Sequence, residues 1–285
     1  MQVKVHPTFI ALLIVCFLAG QFTRALLVFG LVILHECCHI LTARGFGINV
    51  LRVELYPYGG TAILDDRYQG NKKEETIIAL AGPAFNISLF IVIQVLRGQG
   101  ILIGEWALEL AKINFWLASF NLLPVLPLDG GRIARGLFAG AFGFIPVTRF
   151  LAAAGKWTGG FFVFIGLLLQ AFGLYIYEPT VFIILGIFFW IGSSKEMANA
   201  RIVFLKQLCR KKERLFNQGL LAGNTLTVHR DTKIRRVIDG LTTDHYSLIY
   251  VLGKDDVINR TFSESEVVQG MMDHGLDYPV YDLKK

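Results

Sequence analysis

Long apolar runs separated by brief polar breaks fill the first two-thirds of the chain. A polar, alternating pattern takes over in the last third. The apolar runs fall at about Pro7 to Gln21, Leu26 to Thr42, Thr76 to Leu96, Trp106 to Leu123, Phe150 to Tyr175 and Thr180 to Ile191. Runs of this kind predict a polytopic α-helical membrane protein, here with six transmembrane helices. Only Thr23 and Arg24 break the sequence between the first two runs, which predicts a tight helical hairpin. Between about Ile48 and Leu64 polar and apolar residues alternate, with Gly59-Gly60 inside, so a short β-hairpin or sheet is expected there. At bilayer depth it would need protein or water cover, and it could offer an edge to a substrate strand.

After the sixth run the pattern changes. Residues 195 to 219 read as a basic linker, densest from Lys206 to Arg214, suited to an anionic membrane surface or simply solvated. Residues 220 to 285 read β-α-β-β-α, a small α/β domain. Residues 1 to 194 form the transmembrane part in this division.

Composition agrees. Of 285 residues, 54% are hydrophobic and 18% charged, which excludes an ordinary soluble domain with one core. The net charge of +6 gathers in particular loops, a pattern of membrane anchoring rather than direct nucleic-acid binding. Threading six segments puts Arg44, Arg52, Lys72, Lys73, Arg132, Arg135 and the tail on one side, so both termini are expected in the cytoplasm. The cysteines Cys16, Cys37, Cys38 and Cys209 form no disulfide framework. No A-x-A cleavage site follows the first apolar run, so no separate signal peptide is expected.

Two stretches carry chemistry. His35-Glu36-Cys37-Cys38-His39 is an H-E-x-x-H pattern inside an apolar run. Four residues apart on a helix, His35 and His39 share a face and can hold one Zn²⁺, with Glu36 as general base. The plain alternative is a helix end facing headgroup water. The second stretch, Asn121 to Arg132, contains Pro124, Pro127 and Gly130-Gly131, which break a regular helix beside an apolar run. Asp129 there either caps the helix starting near Gly131 or completes the metal site; the histidine pair favours the second. The predicted topology puts both stretches near the cytoplasmic side. Asn86, after Gly82-Pro83, is either an interhelical hydrogen-bonding residue or part of the site.

Together these pieces resemble the site-2 protease family of intramembrane zinc metalloproteases. The resemblance rests on His35 to His39, on Gly82-Pro83 with Asn86, and on Asn121 to Asp129-Gly130-Gly131. It covers about two-thirds of the chain. It implies zinc ligands at His35, His39 and Asp129, a catalytic glutamate at Glu36, and support of substrate or oxyanion by Asn86 and Asn121. The tail resembles a single CBS module, which implies ATP binding and a homo-oligomer formed through that module. Asp256, Thr261 and Ser263 are the candidate nucleotide contacts; the plain alternative for Ser263 is a helix cap boxed with Glu266. Six segments with one such module resemble the sporulation branch of the family. That branch implies a pro-sigma-factor-like, membrane-associated protein substrate, the outer forespore membrane as location, and inhibitory membrane proteins as partners. The competing class is a metal-binding membrane regulator or transporter without hydrolysis; polar residues gathered at one depth argue against it.

Overall fold

The computed structural model describes residues 2–5, 14, 17–18, 20–48, 50–56, 59–64, 72–173, 179–242, 245–253 and 257–283. Its helices are α1 (Phe22–Gly45), α2 (Lys72–Gly98), α3 (Glu105–Asn121), α4 (Asp129–Phe142), α5 (Phe144–Ala171), α6 (Pro179–Gln218), α7 (Ile234–Gly240) and α8 (Glu264–His274). The strands are β1 (Gln2–Val5), β2 (Val50–Tyr56), β3 (Gly59–Leu64), β4 (Gly223–His229), β5 (Tyr246–Leu252) and β6 (Ile258–Ser263).

Four helices among the described residues are long and apolar enough to cross a membrane: α1, α2 over Lys73–Gly98, α5, and α6 over Pro179–Leu205. The chain is a multi-pass membrane protein, but the expected six helices reduce to four. The run from Pro7 to Gln21 lies mostly outside the described residues. The run from Trp106 to Leu123 forms α3, a helix of 17 residues carrying Glu105, Glu109 and Lys112. At 1.5 Å per residue it is about 25 Å long, short of a hydrocarbon core of about 30 Å. The spanning helices turn large apolar side chains outward, among them Leu26, Ile91, Val92, Phe161 and Ile184. In water such a surface would be a liability; against acyl chains it is the solvated face.

The chain divides into two compact units. The first comprises residues 1–136 and 151–194; the second comprises 137–150 and 195–285. In the first unit the predicted hairpin is part of a three-stranded sheet. β2 and β3 pair antiparallel, from Val50 opposite Leu64 to Tyr56 opposite Gly59. β1 adds in parallel, with Gln2 opposite Arg52. α1 ends at Phe46-Gly47, where Gly47 takes a φ of +75° that a side chain would strain.

α5 and α6 cross at two glycines. A methyl group at Gly159 would lie 2.7 Å from the Gly186 carbonyl oxygen, so both positions must lack one for the backbones to approach. These helices also seat the irregular loop between α3 and α4. Ser193 Oγ donates to the Leu126 carbonyl at 2.7 Å, and the Leu126 N–H donates to the Leu151 carbonyl at 3.3 Å. Gly155 and Gly192 clear the space for Leu126 and Pro127.

The second unit is an open sheet in the order β4-β5-β6, β4 parallel and β6 antiparallel to β5. Its core joins Ile234, Val237, Ile249 and Phe262 to Ala139, Phe144, Ile145 and Phe204. The Phe144 and Phe204 rings stack with centroids 6.0 Å apart. The expected CBS-like domain is thereby corrected. Residues 220–285 do not close a core of their own; the core takes side chains from 137–150 and from α6 around an open three-stranded sheet. Lys211 is buried here. Its ammonium donates to Glu264 at 2.6 Å and to the carbonyls of Thr242 at 2.6 Å and His245 at 2.8 Å.

Candidate metal centre

His35 and His39 sit one turn apart on α1, so their rings meet edge to face with centroids 4.8 Å apart. Each is fixed from behind by α2. His35 Nδ1–H donates to Asn86 Oδ1 at 2.9 Å, and His39 Nδ1–H donates to the Ile78 carbonyl at 2.6 Å. With Nδ1 protonated, each neutral ring turns a lone pair at Nε2 toward the other and toward Asp129. The two Nε2 atoms lie 3.1 Å apart, and each lies 3.1 Å from Asp129 Oδ2. His35 and Asp129 are buried, and His39 is partly so.

Asp129 reaches this point because the loop before it is not helical. The break contains Pro124 and the cis Leu126–Pro127 bond, and it ends where α4 begins at Asp129. Gly130 and Gly131 pack against the backbone of Leu122, Leu123 and Val125, closer than any Cβ could come. α4 is also tied to α2 by an ion pair between Arg135 and Glu75.

Three acceptor atoms converge on one buried point, and all ligand atoms of His35, His39 and Asp129 lie within 4.8 Å of one another. Three lone pairs crowded away from water repel unless a cation sits among them. Gly82 supplies the room. A Cβ at Gly82 would fall against Nε2 of both histidines, so the glycine leaves open the space that a bound ion needs. Two imidazoles and a carboxylate form the three-ligand set of a catalytic zinc site with one position left for water or substrate. The residues present therefore fit one Zn²⁺.

Glu36 is half-buried on α1 and lies within electrostatic reach of His39, His35, Asp129 and Arg132. Asn86 is fully buried and committed to His35 through Oδ1. Asn121 bonds its own helix, Nδ2 to the Leu117 carbonyl at 2.9 Å. Cys37 is exposed and Cys38 partly buried, and neither joins the cluster. In the second unit Ser263 is the cap of α8, its Oγ accepting from the Glu266 N–H while Glu266 accepts from the Ser263 N–H. Thr261 lies in β6, and Asp256 falls outside the described residues. Nothing among the described residues supports an ATP site.

Two contributors show no chemistry of their own in the sequence. Ile78 acts through a main-chain carbonyl, which no side chain marks. Gly82 stands in the Gly82-Pro83 and Asn86 piece of the resemblance, but nothing in the sequence shows that it faces the histidines.

An H-E-x-x-H helix inside a membrane span, closed by an aspartate at the end of an irregular loop where α4 begins, defines an integral-membrane zinc metalloendopeptidase. The profile of peptidase family M50 matches residues 23–102 and 105–167, half of the chain. The chain belongs to that family, the site-2 proteases. It is 26% identical over 254 residues to a zinc metalloprotease of Methanocaldococcus jannaschii, covering 86% of this chain and 70% of that one. It is 31% identical over 140 residues to stage IV sporulation protein FB of Bacillus subtilis, covering 49% of this chain and 48% of that one. The solved site-2 protease of M. jannaschii superposes with a TM-score of 0.56 at 28% identity, over 68% of this chain and 90% of that structure.

Proposed function

We propose that the chain hydrolyses a peptide bond in a membrane-associated protein precursor, with one Zn²⁺ held by His35, His39 and Asp129 and with Glu36 as the base. The convergence of His35 Nε2, His39 Nε2 and Asp129 Oδ2 within 3.1 Å of one another carries this reading. When bound, the metal would acidify the attacking water and polarise the scissile carbonyl. The chain's own residues do the rest. α2 holds both imidazoles from behind. Asp129 adds the negative charge that offsets a dication. Glu36 accepts a proton at its carboxylate and returns it to the departing amine nitrogen. Asn121, partly exposed, keeps a second N–H on Nδ2 for the substrate backbone.

The precursor we propose is a sporulation pro-sigma factor. Similarity to stage IV sporulation protein FB supports it. On this reading the protein lies in the outer forespore membrane with both termini in the mother-cell cytoplasm, and inhibitory membrane proteins restrain it. Residues 1–194 would carry catalysis, with 195–219 leading into the C-terminal residues 220–285.

Glu36→Gln tests the chemistry. It removes the base and leaves every proposed ligand in place. Cleavage of a tagged precursor in membranes should collapse, while zinc content, read by mass spectrometry, stays near one per chain. Near-normal turnover would remove Glu36 from the mechanism.

A further inference from the structure

We propose that Asn86 is the residue that sets the tautomer of His35, and through it the strength of metal binding; this rests on the metalloprotease reading above. The two ligand imidazoles are anchored differently. His39 donates to a main-chain carbonyl, an acceptor that can take no other role. His35 donates to a side-chain amide, which has two faces. Facing Oδ1 toward Nδ1, the amide accepts, the proton stays on Nδ1, and Nε2 is free to ligate. Turned over, Nδ2 would donate into Nδ1, the proton would move to Nε2, and His35 could no longer bind a cation.

The environment shows which orientation the fold serves. Asn86 is fully buried, and its Nδ2 has no partner among the described residues. An unpaired buried donor is unfavourable, so nothing around Nδ2 among the described residues selects asparagine at this position. What selects it is Oδ1. The acceptor is therefore the functional half of the side chain, and the amide nitrogen is dispensable. Asn86 does not touch the reacting atoms; it is a positioning residue. Partners of this kind behind a ligating histidine typically change metal affinity about 10–100-fold.

This makes an asymmetric prediction. Asn86→Asp keeps an acceptor facing Nδ1 and discards only the unpaired donor. Asn86→Leu keeps the size and removes the acceptor. In full-length protein, zinc affinity measured by competition with a chromophoric chelator should fall about 10–100-fold in Asn86→Leu and hold or tighten in Asn86→Asp. Unchanged affinity in Asn86→Leu, alongside lost zinc in His35→Ala, would overturn the role of Asn86 and leave the metal site standing. Equal losses in both Asn86 variants would reduce it to packing. Zinc retained by His35→Ala would remove the metal site itself, and this proposal with it.

Discussion

At position 82 the difference between a hydrogen atom and a methyl group decides whether the centre has room. Gly82→Ala puts a carbon against Nε2 of both His35 and His39, and one or both rings must swing away. The substitution suits a helix better than glycine does, so the fold should tolerate it. Zinc content should fall well below one per chain while helicity holds; full zinc in Gly82→Ala would show that the open space is not the metal's. Residues of this kind explain what sequence could and could not disclose. The pairing of His35 with His39 is legible because residues four apart on a helix share a face. Asp129 was legible because prolines and glycines announced irregular backbone next to a carboxylate. Gly82 and the Ile78 carbonyl carry no chemical group that a sequence displays. Their importance lies in what passes close to them from α1.

At the scale of elements, the irregular loop is held rather than free. Leu126 accepts from Ser193 and donates to Leu151, and Gly155 leaves its carbonyl a place to rest. Gly155→Val would drive a side chain into the Leu126 carbonyl. The loop must then lift, taking Asp129 with it. We expect Gly155→Val to lose both cleavage and zinc although residue 155 touches no ligand. Wild-type zinc content in that variant would show that the loop finds its place without α5. At this same scale the six spans that composition suggests become four among the described residues. Composition marks Trp106 to Leu123 as apolar, but length and the charges of Glu105, Glu109 and Lys112 make α3 too short to cross. Strand β1 leaves little mark in the sequence pattern because its partner, β2, lies far along the chain, and periodicity is a local signal.

At the scale of the whole molecule, the second unit carries its own electrostatic problem. Burial pushes the Glu264 carboxyl up, against the pull of Lys211 and of the Ser247 N–H. A raised acid keeps its proton longer in the folded chain than in the unfolded one. Its contribution is complete below the ordinary carboxylate range and is lost as pH climbs through the raised value. Glu264→Gln cannot titrate. Amide hydrogen exchange across β5 and β6 should therefore show a weaker pH dependence in Glu264→Gln, from about pH 4 upward. Identical profiles in parent and variant would mean that Glu264 titrates alike in both states. The CBS resemblance failed at this scale too. The order β-α-β-β-α runs along residues 220–285, but the core is completed by Phe144 and Phe204, which lie outside that stretch.

A unit assembled from two separate stretches of chain cannot be lifted out as a cassette. A gene fragment opening at Lys195 would encode the sheet without Ala139, Phe144 and Ile145; one closing at Ser194 would encode those side chains with no core to enter. Recombination that trades tails among relatives would break the set in either direction. A change of side-chain size in residues 137–150 should therefore be tolerated only with a matching change in the tail.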